Sequence, residues 1–480
     1  MASIAFKTPD WTGNPFIQQR TGRVFMKIEG TYSGSFDYIE AKLIRSGGAV
    51  VIDWFNPAAV TANGKFSFFA GFPAESGYLQ WIVRFHNDTG TTATSNAFGT
   101  GDIYLVTGQS LAEIFVGSGN SVTRLYALCI AVPGLAEAVA LGHASTTSFQ
   151  IPDNGDGMTT LGNILSAATG WGTAFIFHGK GGTPFSKDGA AVGSAPYQYL
   201  LSMEGDPTNA YTEAMMLMGL KHIRDMCSVN RYGVDFAGII HLHGEADSQL
   251  FISRQAYVDS LDRYYRTLRA LTGRPPTACP FYVGPVGKYS TTSMQTVREA
   301  QIQWANMTRG AILVADRYDA SRTSDVVHWN VAGVIQWAKR LGMDITRNLG
   351  YTSVKGSGPR VVSGKRVGAV ITLQVDLNTH TSIAAANGAA PLTGFVVSAS
   401  AAMTSPLSIS NAVVSGSTII ITLSSDPGTG RHYVKFIPTN SALDGSDLTS
   451  DNNVYSTDLA TGDSVGLPLQ PTAAAIAVDG

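Results

Sequence analysis

The chain is short of charge, short of cysteine and without a long unbroken hydrophobic run. Only 14% of its 480 residues are Asp, Glu, Lys or Arg, and the 33 basic and 35 acidic side chains sum to a formal charge of −2 with no long single-sign block. That balance leaves no electrostatic footprint for nucleic acid or for an anionic membrane surface. The three cysteines, Cys129, Cys227 and Cys279, are odd in number, far apart and without a CxxC pair. A disulfide framework and a thiolate zinc site are therefore not expected, and the cysteines read as small buried hydrophobes. The longest apolar stretch, "ALCIAVPGLAEAVALG", is broken by Pro133-Gly134 and carries Glu137, so no membrane span is expected. The opening "MASIAFKTPDWTG" has no apolar signal-peptide core. That leaves the compartment open, with an extracellular or virion-associated setting favoured over the cytoplasm.

What is present is a glycine-rich, moderately hydrophobic composition, with 52 glycines and 44% hydrophobic residues, of the kind found in strand-rich globular proteins. The length suggests about three domains. From Val24 to about Phe98 the pattern has a period of two: "YLQWIVRF" sets Leu79, Trp81, Val83 and Phe85 on one face, as expected of a β-sandwich-like domain over residues 1–100. Over residues 101–347 short apolar runs alternate with helical ones, the signature of an α/β domain with parallel strands and crossover helices. Strands are expected at residues 103–107, 174–178, 237–243, 281–286 and 311–315. Tyr257, Leu261, Tyr264, Leu268 and Leu271 mark one apolar helix face, and Val331, Val334, Ile335, Ala338 and Leu341 another. After the linker-like "VKGSGPRVVSGK" the helices vanish, and residues 356–480 read as a β-rich C-terminal domain.

In an open parallel sheet, ligands bind beyond the carboxyl ends of the strands. Those ends carry Gly108-Gln109-Ser110, Gly179-Lys180-Gly181-Gly182-Thr183, His243-Gly244-Glu245-Ala246-Asp247 and "SDVVHWN" with Asp325 and His328. A serine becomes a nucleophile when a histidine takes its proton and an acceptor fixes that histidine's other nitrogen. Ser110, His328 and Asp325 supply those three groups, and backbone N–H groups at Ser110 and in the Gly181-Gly182 turn are candidate oxyanion donors. Taken singly, each has a plainer reading: helix cap, chance Asp-x-x-His, ordinary turn. No ligand spacing suggests a metal, and no cofactor is expected. His178 and His241, in or beside buried strands, read as satisfied core histidines. Trp304 and Trp329 are candidates to stack on a sugar ring, with core packing the favoured role for Trp304.

The blocks "TGQSL", "KGGTPF", "LHGEAD" and "SDVVHWN", in that order, resemble those of the SGNH hydrolases, in particular the sialate O-acetylesterase and carbohydrate acetylesterase branch. The resemblance implies a flavodoxin-like, three-layer α/β/α catalytic domain with a mainly parallel sheet, flanked by N-terminal and C-terminal β-sandwich-like domains. It places Ser110 on the nucleophile, His328 on the general base, Asp325 on its orienting partner and Gly181 or Gly182 on the oxyanion glycine. Two positions depart from the pattern. Leu111 stands where the family has asparagine, and His243 stands for a glutamine that helps to form the oxyanion hole; a neutral imidazole can fill that role, and the other readings of His243 are a second base or the mark of an incomplete hole. Gln109, Glu245, Asp247 and Trp329 fall to substrate binding or support. The implied activity is removal of O-acetyl groups from a carbohydrate, with the chain acting as a possible homo-oligomer or attached to a larger assembly. The alternative is a catalytically impaired carbohydrate-binding or structural protein, for example a bacteriophage tail component.

Overall fold

The computed structural model describes residues 2–7, 16–19, 21–117, 127–131, 156–179, 184–185, 236–250, 252–287, 292–314, 316–320, 323, 327–351, 356–388, 390–437, 453–459 and 466–478. The N-terminal residues form two four-stranded antiparallel sheets. One runs Ser3–Phe6, Arg23–Ser33, Lys65–Pro73, Val60–Ala62, and the other Val50–Phe55, Ile39–Arg45, Leu79–Phe85, Asp88–Thr94. Period-two patterning explains the packing: Leu79, Trp81, Val83 and Phe85 are fully buried and meet Val24, Met26, Phe68 and Phe72 of the facing sheet. Each such side chain contributes about 1.5–3 kcal/mol of burial.

The central sheet is parallel throughout, in the order Ala127–Ala131, Gly172–Gly179, Gly99–Gly108, Gly238–Leu242, Phe281–Gly284, Ala311–Leu313. A short strand, Phe16–Gln18, also pairs with the start of Gly99–Gly108. Ala127–Ala131 was not among the expected strands. It lies in a continuous apolar run, where periodicity does not separate strand from helix. Helices cover both faces. Ile103, Leu105 and Ile239 pack against Arg254–Thr272 and Thr292–Met307, whereas Tyr104, Val106 and Ile240 pack against Asp156–Thr169 and Val331–Asn348.

On Arg254–Thr272 the expected stripe is buried at Tyr257, Leu261, Tyr264 and Leu268. Val331 departs from its expected stripe, being 42% exposed as the first residue of its helix, beyond the edge of the core. Cys279 and Trp304 are buried hydrophobes of the first cluster. Among the described residues, no helix is long and apolar enough to cross a membrane.

The C-terminal residues form antiparallel sheets around a separate core that includes Ile371, Leu373, Val397, Ile421 and Phe436. Half of the segment read as a linker is in fact strand, Arg360–Val367. Its glycines and Pro359 suggest a loop, but ladder pairing with Val370–Asp376 supplies the hydrogen bonds that a linker would leave to water.

Candidate active site

After starting at the central strand, the chain builds Ala127–Ala131 and Gly172–Gly179 on one side, then crosses to Gly238–Leu242 on the other. The carboxyl end of Gly99–Gly108 is thus a topological switch point, where neighbouring loops diverge and leave a crevice. Gly108 ends that strand at φ 146°, and a Cβ there would lie 1.8 Å from the carbonyl oxygen of Leu242. Only glycine fits so close an approach. Beyond it the N–H of Gln109 donates to Leu242 O at 3.0 Å, and Ser110 opens the helix Ser110–Gly117. Leu111 and Phe115 on the inner face of that helix are buried in the second cluster and hold it down.

Ser110 is half-buried, and its Oγ lies 2.9 Å from Nε2 of His328. His328 comes from the far end of the chain's α/β region, three residues ahead of Val331–Asn348. Asn330 caps that helix by accepting from the N–H of Gly333 at 3.0 Å. The carbonyl of His328 accepts from the N–H and the hydroxyl of Thr323, at 2.8 and 3.2 Å. Asp325, Gly181 and Gly182 lie outside the described residues.

The residues read as substrate-binding or support are all buried. Gln109 donates from Nε2 to Glu245 Oε2 at 2.9 Å and accepts from the N–H of Ala246 at 3.4 Å. Glu245 takes Arg317 Nη2 on its other oxygen at 2.6 Å. The Arg317 guanidinium also donates from Nε to Pro285 O and sits 5.1 Å from the Trp329 ring centroid. Trp329, 2% exposed, stacks on Trp337 with centroids 5.4 Å apart. So Trp329 belongs to the core, and the sugar-stacking alternative does not fit its burial. A chain of contacts, Gln109–Glu245–Arg317–Trp329, runs from the neighbour of Ser110 to the neighbour of His328. Arg317 had no sequence signal, since an arginine in a loop is ordinarily a solvated cation.

His243 and Asp247 lie on the other side of the strand end. Asp247 accepts the N–H of Phe185 at 3.1 and 3.2 Å on its two oxygens, and its Oδ2 is 3.6 Å from Nε2 of His243. Burial pushes the Asp247 carboxyl up to about 7. The Nδ1 of His243 is 3.4 Å from the hydroxyl of Tyr257, and its ring packs against Phe185 with centroids 4.0 Å apart. Gln301 joins this group, donating to His243 O at 2.7 Å and to the Tyr257 hydroxyl at 3.0 Å. Both ring nitrogens of His243 therefore face side chains of the Phe185, Asp247 and Tyr257 group.

His241 is fully buried among Phe185, His243, Tyr264 and Phe281, and neither of its ring nitrogens has a hydrogen-bond partner among the described residues. The expectation of a satisfied core histidine fails here, because its neighbours are aromatic faces rather than donors and acceptors. Burial, with the His243 imidazole and the Arg317 guanidinium nearby, holds His241 well below the usual imidazole range. Above about pH 6.5 it is neutral in both the folded and unfolded states and adds no pH dependence. Below that value the unfolded chain binds a proton that the folded chain refuses, so acidification lowers stability. His241→Leu should raise stability at neutral pH by about 1 kcal/mol and flatten the loss below pH ~6. Urea unfolding at ~pH 5 and ~pH 7.5 measures both, and a destabilised variant with unchanged pH slope rejects this account of His241.

No protein-family model and no curated protein sequence matches the chain. Solved structures do. A carbohydrate acetylesterase from Xanthomonas citri covers 95% of this chain and 96% of its own, at 15% identity and a TM-score of 0.56. A family two carbohydrate esterase from Clostridium thermocellum, in complex with cellohexaose, covers 72% of this chain and 97% of its own at 13% identity and a TM-score of 0.32. NanS covers 51% of this chain and 96% of its own at 14% identity and a TM-score of 0.34. At nearly full coverage of both chains, the likeness to the Xanthomonas citri enzyme gives this chain the fold of a carbohydrate acetylesterase.

Proposed function

We propose that the chain is a serine esterase that removes O-acetyl groups from a carbohydrate through an acetyl-enzyme intermediate. The observation that carries this reading is the 2.9 Å contact between Ser110 Oγ and His328 Nε2 at the switch point of a parallel sheet. In the first step Ser110 Oγ bonds to the acetyl carbonyl carbon while its proton passes to His328 Nε2. The oxyanion rests on backbone N–H groups of Ser110 and of Gly181 or Gly182. His328 then gives its proton to the sugar oxygen as the C–O bond breaks, leaving acetyl-Ser110. Water, deprotonated by His328, attacks that ester; the bond from the carbonyl carbon to Ser110 Oγ then breaks as His328 returns the proton to Oγ, and acetate departs. Asp325 takes the part of orienting the imidazole.

His243 is assigned a holding role in place of oxyanion donation, because its nitrogens face Asp247 and Tyr257. Asp247 holds the backbone of Phe185 by accepting its N–H. Glu245 and Gln109 support the backbone under Ser110.

Acetate release from a panel of acetylated glycans, combined with labelling by a fluorophosphonate, tests the reading. Labelling at Ser110 with acetate release supports it. Glycan binding with neither labelling nor release overturns it in favour of a non-catalytic carbohydrate-binding protein.

A further inference from the structure

The loop between Ala311–Leu313 and Val331–Asn348 carries His328, and its middle is fixed in two directions by consecutive residues. Asp316 Oδ1 accepts the N–H groups of Arg317 and Tyr318 at 2.7 and 2.9 Å, and the N–H of Ala320 donates to Arg317 O at 3.1 Å. This tight turn sends the Arg317 and Tyr318 side chains apart. Arg317 enters the network under Ser110 through Glu245 and Trp329. Tyr318, 1% exposed, enters the core of the C-terminal β region instead, beside Phe436 with ring centroids 6.3 Å apart. Its hydroxyl donates to Leu469 O at 3.1 Å. The next residue continues the attachment. Asp319 accepts the Tyr455 hydroxyl at 3.0 Å and both Arg340 Nη atoms at 2.5 and 2.8 Å, while Arg340 Nη1 also reaches Asp316 O at 3.1 Å.

We propose that Tyr318 is a positioning residue through which the C-terminal β region holds the His328 loop in register with Ser110. The inference rests on the esterase reading and adds to it. The C-terminal β region then counts as part of the frame of the site, although it supplies no reacting atom. The physical requirement is plain. A serine–histidine hydrogen bond works only over a few tenths of an ångström, and the described residues between Leu313 and Val331 belong to no helix or strand that would hold them there. A phenol buried in a second core gives the loop an anchor that regular structure does not supply.

Removal of the whole Tyr318 ring risks unfolding the C-terminal core, so the test uses the double variant Tyr318→Phe, Tyr455→Phe in the full chain. That variant keeps both rings and deletes the two hydroxyl contacts across the boundary. Three quantities are read: kcat and KM on p-nitrophenyl acetate, melting temperature, and hydrogen–deuterium exchange of the segment 316–330. The expected result is a kcat lower by about tenfold with KM within about twofold, faster exchange in 316–330, and unchanged exchange in the central strand. In an active wild type, a kcat within twofold of wild type, or a loss that follows only the unfolded fraction, overturns the positioning role. If the wild type shows no Ser110-dependent turnover, the esterase reading falls, and exchange alone decides the attachment. Unchanged exchange in 316–330 then overturns it.

Discussion

Ser110→Ala is expected to lower kcat on p-nitrophenyl acetate and on acetylated glycans by at least ~10⁴-fold, leaving only the residual rate that binding and oxyanion donors provide. The size follows from the mechanism: with no Oγ there is no acyl-enzyme, and His328 would have to activate water at a distance set for a serine. The same change should move stability little. Ser110 is half-buried, and its described side-chain contact is one hydrogen bond to His328, a loss of about 1 kcal/mol. Because the fold survives, the variant separates chemistry from folding. Turnover within tenfold of wild type, with the protein shown to be folded, would falsify the assignment of Ser110 as nucleophile.

The second large effect concerns stability. Arg317 is fully buried, and its guanidinium meets Glu245 at 2.6 Å beside the Trp329 ring. Taking one partner out of a buried ion pair leaves the other charge without compensation. Arg317→Met is therefore expected to cost about 3–5 kcal/mol. Neutralising the partner as well should recover much of that loss, since Gln at 245 still accepts from Gln109 and no longer carries a charge. In urea unfolding, the double variant Arg317→Met, Glu245→Gln should thus be more stable than Arg317→Met alone. A single variant within 1 kcal/mol of wild type, or strictly additive losses, would show that the pair is not what holds this network. The result also bears on function, because the network is the described path between the backbone under Ser110 and the residue beside His328.

The comparison of sequence with structure is clearest at particular residues. Tyr257, Leu261, Tyr264 and Leu268 could be read as one helix face because a helix repeats its direction every 3.6 residues. Leu79, Trp81, Val83 and Phe85 could be read as one strand face for the matching reason at period two. Ser110 and His328 stood out because strand ends are where a parallel sheet exposes side chains to its crevice. Trp329 was ambiguous because its neighbours in sequence are polar while its neighbours in space, Trp337 and Arg317, come from elsewhere. His241 was misjudged for a similar reason. A histidine in an apolar strand announces burial, but whether its nitrogens find partners depends on Phe185, Tyr264 and Phe281, which belong to other elements.

Local order thus came from the sequence alone: which segments are strand or helix, which face of each is apolar, and which chemically able residues stand at strand ends. Those properties depend on periodicity and on backbone preference within a few residues. The tertiary structure decided the pairings. It set Ser110 against His328 across 218 positions, buried Arg317 on Glu245, turned His243 toward Asp247 and Tyr257, and sent Tyr318 into a second core. Such contacts follow from how sheets and loops close over long separations, and a cation or a phenol in a loop carries no local mark of the partner that will bury it.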